Sequence, residues 1–451
     1  MGKPVKFIHG ADIHLGSPLK TIAEFSNLKQ KLETANYSAL KRLVNAAIEQ
    51  QVDFVLFSGD IFDQEIRSVS ANQFLSEQMG RLAAKEIPVF IIHGNHDPLD
   101  QAKEYVRLPD NVTIFGHEEP EMAEILGDDG RPLARVLGQS YRNASESRKM
   151  YHGFGPPDDD VLNIGMLHTA LNPAENKYVP CSLEELKSKQ SIDYWALGHV
   201  HSPVIHHWEK PFVAFPGILQ GRDVGETGLG GCFMVEAEKG GRPTISFIPT
   251  ASIIWLKCKV SINDAVEIAN LDDLTDFLLQ KGQELLDHGP GLRDDIPIAD
   301  SYQPHIDGYV VRWEIVGRGK IHSDVLAGNE EEAALAVEDK LRQSLGKGQP
   351  FIWTEKVKIN TEMNIPDLQD LLREDEVFRA LNDIYTSMLL EKDSKEILNS
   401  LGNVWSPISD HEEARDDALK LDEDKCVELI ERARNMVIER IIQGREQHEN
   451  S

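Results

Sequence analysis

Five short apolar runs in the first half of the chain each lead into a cluster of histidine, aspartate or asparagine. The runs lack polar alternation, which predicts strands buried on both faces. Because the carboxyl ends of neighbouring parallel strands meet at one edge of a sheet, the clusters are expected to form a single site. The predicted strands cover residues 5–8, 54–57, 88–92, 162–167 and 194–197.

Other spacings of apolar residues predict helices and further strands. Apolar residues recur three or four apart in 28–49, and a second helical pattern covers about 69–85. Strand–helix–strand alternation predicts parallel pairing with helices covering the sheet. Segment 116–134 is acidic and is expected to form a surface loop or a short helix. Short β segments in 203–260 predict an antiparallel addition that closes the core.

The length of the chain, 451 residues, fits roughly three domains of about 150 residues each. We predict a core at 1–260, a smaller α/β unit at 261–360 and a charged helical region at 361–451. One apolar stripe in the last region contains Val427, Ile430, Ala433, Val437 and Ile441.

The composition predicts a cytoplasmic protein with reduced thiols. The chain contains no apolar run of about 18 residues, so a membrane span is not expected. The first residues of the chain predict a strand and do not show the pattern of a secretory leader, which is a basic segment followed by an apolar stretch and a small-residue cleavage site. The cysteines are too far apart for a CxxC pair, which argues against a zinc ribbon or a disulfide framework. They are Cys181, Cys232, Cys258 and Cys426.

The net charge of −28 opposes a whole-molecule electrostatic attraction to nucleic acid. Two bound divalent cations would add about four positive charges at the place of the substrate. A partner protein is a second possible source of basic surface. The charge therefore argues against a DNA substrate without excluding one.

The residue types in the five clusters are those that hold divalent cations. Asp12 and His14 are two positions apart, so on an extended chain they lie on the same side, with about 6.6 Å between their Cα atoms. His199 and His201 repeat this spacing. Asp60 ends a strand, where its two oxygens are suited to bridge two metals. The candidate ligands are Asp12, His14, Asp60, Asn95, His168, His199 and His201.

Oxygen and nitrogen ligands without a thiolate favour Mn²⁺, with Fe²⁺, Zn²⁺ or Mg²⁺ as alternatives. Two ions about 3.5–4 Å apart clamp phosphoryl oxygens and activate a bridging water. The clusters therefore predict metal-assisted hydrolysis of a phosphate ester. His96 is predicted to protonate the leaving oxygen, and Asp97 to orient its ring. His9 and His93 are expected to be packed or hydrogen-bonded core residues.

Each cluster alone has a simpler explanation. An aspartate such as Asp12 can cap a helix, Asn95 and Asp97 are common turn residues, and His168 can be a buried hydrogen-bonding side chain. Five clusters, each placed after a predicted strand, favour a shared site over these separate explanations.

The order D-x-H, G-D-x-x-D, G-N-H-D, H, G-H-x-H resembles the calcineurin-like metallophosphoesterase superfamily. Within it, the chain is similar to the SbcD-type DNA repair exonucleases, in a YhaO-like branch. The resemblance extends over about residues 4–260. It is carried by segments 7–16, 59–63, 138–141, 216–217, 220–222 and 226–228.

The resemblance implies an α/β fold, a two-sheet sandwich flanked by helices, followed by an α/β capping domain at 261–360 and a helical C-terminal tail. It implies a homodimer that works on DNA with a coiled-coil ATPase of the SbcC type. The stripe at 427–441 would dock on this partner or pack on its own domain. One metal would be held by Asp12, His14, Asp60 and His201, and the other by Asp60, Asn95, His168 and His199.

Two positions depart from the pattern or lack an assigned role. Asp63 stands where some relatives have a histidine, so no role of that histidine in DNA handling is implied. Arg222 either contacts a substrate phosphate or forms a salt bridge that fixes the loop at 217–228.

The leading hypothesis is a Mn²⁺-dependent DNA phosphodiesterase, a 3′-to-5′ exonuclease with some endonuclease activity, in DNA repair or end processing. The alternative is a phosphatase or phosphodiesterase that acts on a small phosphate ester or a cyclic nucleotide. The G-D-x-x-D-R-G signature of protein phosphatases is absent, since Gln64 and Glu65 follow Asp63. A third hypothesis is a scaffold for a partner ATPase, with incidental hydrolysis.

Overall fold

A computed structural model of the chain describes most residues of the core and selected segments beyond it. The described residues are 4–20, 26–63, 68–101, 106–127, 130–157, 160–264, 268–289, 296–299, 301–322, 329–362, 371–373, 375–390 and 423–449.

Fifteen strands occur in the described residues. They are β1 Val5–Gly10, β2 Phe54–Ser58, β3 Val89–Ile92, β4 Val112–Ile114, β5 Glu121–Leu126, β6 Pro132–Gly138, β7 Leu162–His168, β8 Tyr194–Gly198, β9 Val204–His207, β10 Phe212–Phe215, β11 Gly231–Ala237, β12 Thr244–Pro249, β13 Ile253–Ser261, β14 Gly308–Arg318 and β15 Phe351–Glu362. The α-helices are α1 Ser26–Glu49, α2 Val69–Ala83, α3 Leu183–Lys187, α4 Leu271–His288, α5 Glu330–Leu345, α6 Glu376–Leu390 and α7 Glu423–Glu449.

Two six-stranded sheets form a mixed α/β fold, which confirms the predicted fold class. The first sheet has the order β12-β11-β1-β2-β3-β4. Its strands β1 to β4 are parallel, and β11 and β12 are antiparallel additions. The second sheet has the order β5-β6-β7-β8-β10-β9, with β6, β7, β8 and β10 parallel.

Two predictions for this region are wrong. Segment 116–134 is not a loop or a helix, because it contains β5 and the start of β6. Strand β5 lies at a sheet edge and buries only Ile125, so it has no apolar pattern to reveal it. Strand β10 is not an antiparallel addition to the core, because it runs parallel to β8 and only its hairpin partner β9 is antiparallel to it.

The apolar runs are continuous because both faces of each sheet are covered. In β2, Phe54 and Leu56 pack between the two sheets, whereas Val55 and Phe57 pack on the other face among residues of α1 and α2. The ring of Phe54 stacks on Phe7 with 5.0 Å between centroids. Burial on two faces removes the alternation of polar and apolar residues that a half-exposed strand would show.

The chain divides into two compact units. One contains 1–259, 275–314 and 334–358, and the other contains 260–274, 315–333 and 359–451. Strands β13, β14 and β15 form a third sheet. The three predicted domains, 1–260, 261–360 and 361–451, stay a prediction.

In the second unit, α7 contacts α6 and the residue that precedes it. The hydroxyl of Tyr385 in α6 donates to Oε1 of Glu431 in α7 at 2.9 Å. The guanidinium of Arg445 lies 2.6 Å from a carboxylate oxygen of Asp375, just before α6. The predicted apolar stripe lies on α7, where Val427 and Val437 are exposed. Its role in docking a partner stays a prediction.

None of the helices in the described part of the chain is both long enough and apolar enough to cross a membrane. Cys181, Cys232 and Cys258 are free thiols, and the first two are buried. The side chain of Cys426 lies outside the described residues.

We predict that Phe54→Ala lowers the free energy of unfolding by about 3–5 kcal/mol, because it removes a buried aromatic ring between the two sheets and leaves a cavity. Denaturant unfolding measures the change. The control Leu335→Ala removes a side chain that is 60% exposed and should change the free energy by less than about 0.5 kcal/mol. Equal effects of the two substitutions would contradict the packing described here.

Candidate metal centre

The carboxyl ends of strands from both sheets meet at one place. The hydroxyl of Ser58, the last residue of β2, donates to the carbonyl of Ala196 in β8 at 3.0 Å. The carbonyl of Ser58 accepts from Nδ1 of His168, the last residue of β7, at 2.9 Å. The polar clusters that follow the strands of the two sheets are therefore brought together, as predicted.

The backbone at this place is left-handed at four candidate ligands. The φ angles are 50° at Asp12, 45° at His14, 51° at Asp60 and 103° at His199. The expectation that Asp12 and His14 lie on an extended chain is therefore wrong. Such conformations cost about 1–3 kcal/mol each and occur mainly at functional sites. They turn the chain sharply after the strand and direct neighbouring side chains into one site.

Two glycines permit the close approach of side chains. A Cβ on Gly59 would lie 2.3 Å from Nδ1 of His168, and Gly59 itself has a φ of 97°. A Cβ on Gly94 would lie 2.3 Å from Oδ1 of Asp60. Glycine is required at both positions because any larger residue would displace a candidate ligand.

One group of candidate ligands contains Asp12, His14 and His201. The Nε2 atoms of His14 and His201 are 3.4 Å apart. Nε2 of His201 is 3.9 Å from Oδ1 of Asp12, and Nε2 of His14 is 4.0 Å from Oδ2 of Asp60. Two imidazole nitrogens and carboxylate oxygens thus face a common space.

A second group forms around His168. Its Nε2 is 3.3 Å from Oδ2 of Asp60 and 3.1 Å from Oδ1 of Asn95. The same asparagine oxygen is 3.1 Å from Nδ1 of His199. Because Oδ2 of Asp60 is close to both His14 and His168, this carboxylate lies between the two groups.

The donor set fits divalent metal ions. Asp12 and Asp60 are buried, with 0% and 1% exposure, and buried carboxylates are costly unless positive charge neutralises them. Imidazole nitrogen, carboxylate oxygen and amide oxygen suit Mn²⁺, Fe²⁺ and Zn²⁺. The seven predicted ligands stand together, and their assignment to two separate ions stays a prediction.

The predicted orientation of His96 by Asp97 is wrong. Nδ1 of His96 lies 2.9 Å from Oδ1 of Asp63. The carboxylate of Asp97 instead accepts from the backbone N–H of Gly94 at 2.9 Å and of Ile61 at 2.8 Å. Asp97 therefore holds the loops that carry other site residues, and it has no contact with the His96 ring by which to orient it.

Sequence reasoning missed Asp63 as a site residue. Its Oδ1 also lies 2.7 Å from Nδ1 of His14, so one carboxylate oxygen holds two histidines. Ser17 donates a hydrogen bond to its other oxygen. The signal for Asp63 in the sequence is its position three residues after Asp60, in the same polar cluster.

Arg222 forms the salt bridge that was one of its two predicted roles. Its Nη2 lies 2.7 Å from Oε1 of Glu226, and its Nη1 lies 3.1 Å from Oδ2 of Asp63. Glu226 also lies 2.8 Å from Nδ1 of His201. Sequence reasoning also misses Glu226 as a site residue, although it lies in the same loop as Arg222, four positions later.

His9 and His93 are buried core residues, as predicted. His9 lies 3.0 Å from the hydroxyl of Tyr194 and 3.1 Å from the carbonyl of Leu197. Nδ1 of His93 donates to the carbonyl of Asp97 at 2.6 Å. Both rings therefore have hydrogen-bond partners in the protein and need no metal.

The electrostatics of the metal-free site differ between neighbouring histidines. Burial lowers the pKa of His168. The charge of Asp60, the hydrogen bond to Asp60, the charge of Asp12 and the hydrogen bond to Ser58 together outweigh burial and raise that pKa to about 9. Burial, together with the positive charge on His168, lowers the pKa of His199 to about 3. At neutral pH without metal, His168 is protonated and His199 is neutral.

The sequence pattern of calcineurin-like phosphoesterases matches residues 5–203. The chain is also 32% identical over 278 residues to the uncharacterized metallophosphoesterase YhaO of Bacillus subtilis, which is 61% of this chain and 67% of YhaO. This chain belongs to the calcineurin-like metallophosphoesterase family. Membership of this family implies a hydrolase that uses divalent metal ions.

More distant similarity extends to DNA repair proteins. The DNA double-strand break repair protein Mre11 of Archaeoglobus fulgidus is 23% identical, over 49% of this chain and 52% of that protein. The match thus spans about half the length of this Mre11. Among solved structures, a dimetal phosphatase from Danio rerio matches 55% of this chain and 98% of its own, at 14% identity and a TM-score of 0.35.

We predict that metal uptake by the metal-free protein releases protons at pH 7–8 and strengthens as the pH rises toward 9. A histidine must be neutral to bind a metal, and His168 is protonated below its pKa of about 9. Titration calorimetry with Mn²⁺ in buffers of different ionisation enthalpy counts the released protons. His168→Gln, which has no titratable ring, should release fewer. Equal proton release by the two proteins would contradict the raised pKa.

Proposed function

We propose that this protein is a two-metal-dependent DNA phosphodiesterase, a 3′-to-5′ exonuclease with some endonuclease activity, in DNA repair or end processing. The observation that carries the two-metal part of this proposal is the position of Asp60. Its Oδ2 is 3.3 Å from Nε2 of His168 and 4.0 Å from Nε2 of His14. A carboxylate shared by two groups of ligands is suited to hold two neighbouring cations of the kind that two-metal hydrolysis uses.

One cation would be held by Asp12, His14, Asp60 and His201, and the other by Asp60, Asn95, His168 and His199. When bound, such cations neutralise phosphoryl oxygens and lower the pKa of a water molecule. Mn²⁺ is the proposed metal because the ligands are oxygen and imidazole nitrogen without a thiolate.

His96 is proposed as the proton donor to the leaving oxygen. Burial lowers its pKa, but the hydrogen bond to Asp63 and the charge of Asp60 outweigh burial and raise the pKa above its ordinary value. A raised pKa favours the protonated ring, which is the form of histidine that can act as a general acid. Its side chain is 44% exposed, which leaves it accessible to a substrate.

The choice of DNA rests on the similarity to proteins named for DNA double-strand break repair. By the resemblance of the sequence to SbcD-type exonucleases, we propose that the chain forms a homodimer and works with a coiled-coil ATPase of the SbcC type. The composition and the spacing of the cysteines support the proposal that it works in the cytoplasm. The role of Arg222 in binding a substrate phosphate is less favoured, since Asp63 and Glu226 already accept its hydrogen bonds.

A small phosphate ester is the second candidate substrate. The net charge of −28 favours it, because a strongly acidic protein repels a polyanion more than a small anion. The same metal centre would serve both reactions, so the substrate must be decided by comparison of rates.

The test compares the wild-type protein with Mn²⁺, Mg²⁺ and Zn²⁺ on end-labelled linear, nicked and hairpin DNA and on p-nitrophenyl phosphate. We expect DNA cleavage to be fastest with Mn²⁺ and His96→Ala to slow it by about 10²–10⁴-fold, the usual contribution of a general acid. The control His305→Ala changes a histidine that is 69% exposed and should leave the rate unchanged.

Intact DNA with all three metals would refute the nuclease assignment. Higher catalytic efficiency on the small ester than on DNA would favour the alternative substrate. Undiminished cleavage by His96→Ala would remove this residue from the mechanism.

A further inference from the structure

One guanidinium group joins two carboxylates at the edge of the metal centre. Nη1 of Arg222 is 3.1 Å from Oδ2 of Asp63, and Nη2 is 2.7 Å from Oε1 of Glu226. The three side chains are between 10% and 15% exposed. In so little solvent, charge-assisted hydrogen bonds of this kind are stronger than on an open surface.

Each of the two carboxylates also holds one candidate ligand by its Nδ1 atom. Asp63 is 2.7 Å from Nδ1 of His14, and Glu226 is 2.8 Å from Nδ1 of His201. A carboxylate at Nδ1 fixes the proton on that nitrogen and leaves Nε2 as the electron-pair donor. The two Nε2 atoms, 3.4 Å apart, face each other as a result.

The loop that carries Arg222 and Glu226 is held by one hydrogen bond within the loop and by one from Lys20 outside it. The backbone N–H of Arg222 donates to Oε2 of Glu226 at 2.6 Å, and the carbonyl of Arg222 accepts from the N–H of Lys20 at 2.7 Å. The carboxylate of Glu226 therefore has little freedom to move away from His201.

In the second group of ligands, Nδ1 of the buried His168 is held by a backbone carbonyl and not by a carboxylate. Nδ1 of His168 donates to the backbone carbonyl of Ser58 at 2.9 Å. A backbone carbonyl is fixed by the fold of β2 and does not depend on Arg222. The two halves of the metal centre are thus oriented by different means.

We propose that Glu226 is a positioning residue for His201, and that Arg222 acts as a bridge between Glu226 and Asp63 and not as a phosphate-binding residue. The bridge sets the affinity of only one metal site, the one that contains His14 and His201. This inference rests on the proposed two-metal centre.

The test is a calorimetric titration of metal-free protein with Mn²⁺, at fixed pH, for the wild type, Glu226→Gln and Arg222→Met. The wild type should bind two equivalents. In both variants one of the two affinities should fall by about 10–100-fold, the usual effect of the loss of a residue that orients a ligand. The other affinity should change by less than about threefold.

The chain offers a matched control in the pair Arg312 and Glu355. Their side chains make two hydrogen bonds of 2.7 Å and are both 21% exposed. Arg312→Met and Glu355→Gln remove the same groups from a comparably buried pair in β14 and β15. They should leave both Mn²⁺ affinities unchanged.

Three results would overturn the inference. The first is unchanged affinity in both variants, with a raised KM for the phosphate ester in Arg222→Met, because that result assigns Arg222 to the substrate. The second is an equal loss at both sites, which indicates general damage. The third is thermal unfolding of the metal-free variants well below that of the control variants, which assigns the pair to stability. A wild-type protein that binds no Mn²⁺ would instead refute the proposed function.

Discussion

The rest of the site depends on the burial of several carboxylates close together. Asp12 and Asp60 are almost inaccessible to solvent, and Asp63 is only 15% exposed. Neighbouring carboxylates repel each other, and each buried carboxylate lacks the hydration that would stabilise its charge. Imidazole rings, one guanidinium and backbone N–H groups surround these carboxylates. Burial outweighs the charges of the nearby histidines at Asp12 and raises the pKa of that carboxyl, so added positive charge at this place would stabilise its ionised form.

The fold supplies this concentration of charge through the geometry of two sheets. Strands of each sheet end at the same place, so short loops from distant parts of the sequence deliver one or two polar side chains each. The core between the sheets is apolar and aromatic, with Phe7, Phe54 and Phe90 in contact across strands. A rigid core of this kind fixes the positions of the strand ends. The loops that follow are thereby held in place, including the residues with left-handed backbone conformations.

The sequence allowed the fold class and the main cluster to be predicted, because a strand buried on both faces leaves a continuous apolar run. Prediction from the sequence failed where a feature depends on contacts between residues that are distant along the chain or on the position of a strand in its sheet. Strand β5 is polar because it lies at an edge. The sequence predicts Asp97, the neighbour of His96, as the carboxylate that contacts its ring, but in the structure that carboxylate is Asp63. Which carboxylate meets which ring depends on loop conformation, and spacing along the chain does not encode it.

The choice of ring nitrogen at each histidine has a consequence for substitution. His14, His168 and His201 direct Nε2 into the site, whereas His199 directs Nδ1 toward Asn95. Nδ1 is two bonds from Cβ, the same separation as the amide atoms of asparagine, and Nε2 is one bond farther, as in glutamine. Glutamine is therefore the shape-matched neutral replacement at the first three positions and asparagine at the fourth. If all four histidines were replaced by the same amide residue, the loss of a nitrogen donor could not be separated from the effect of a side chain of the wrong length.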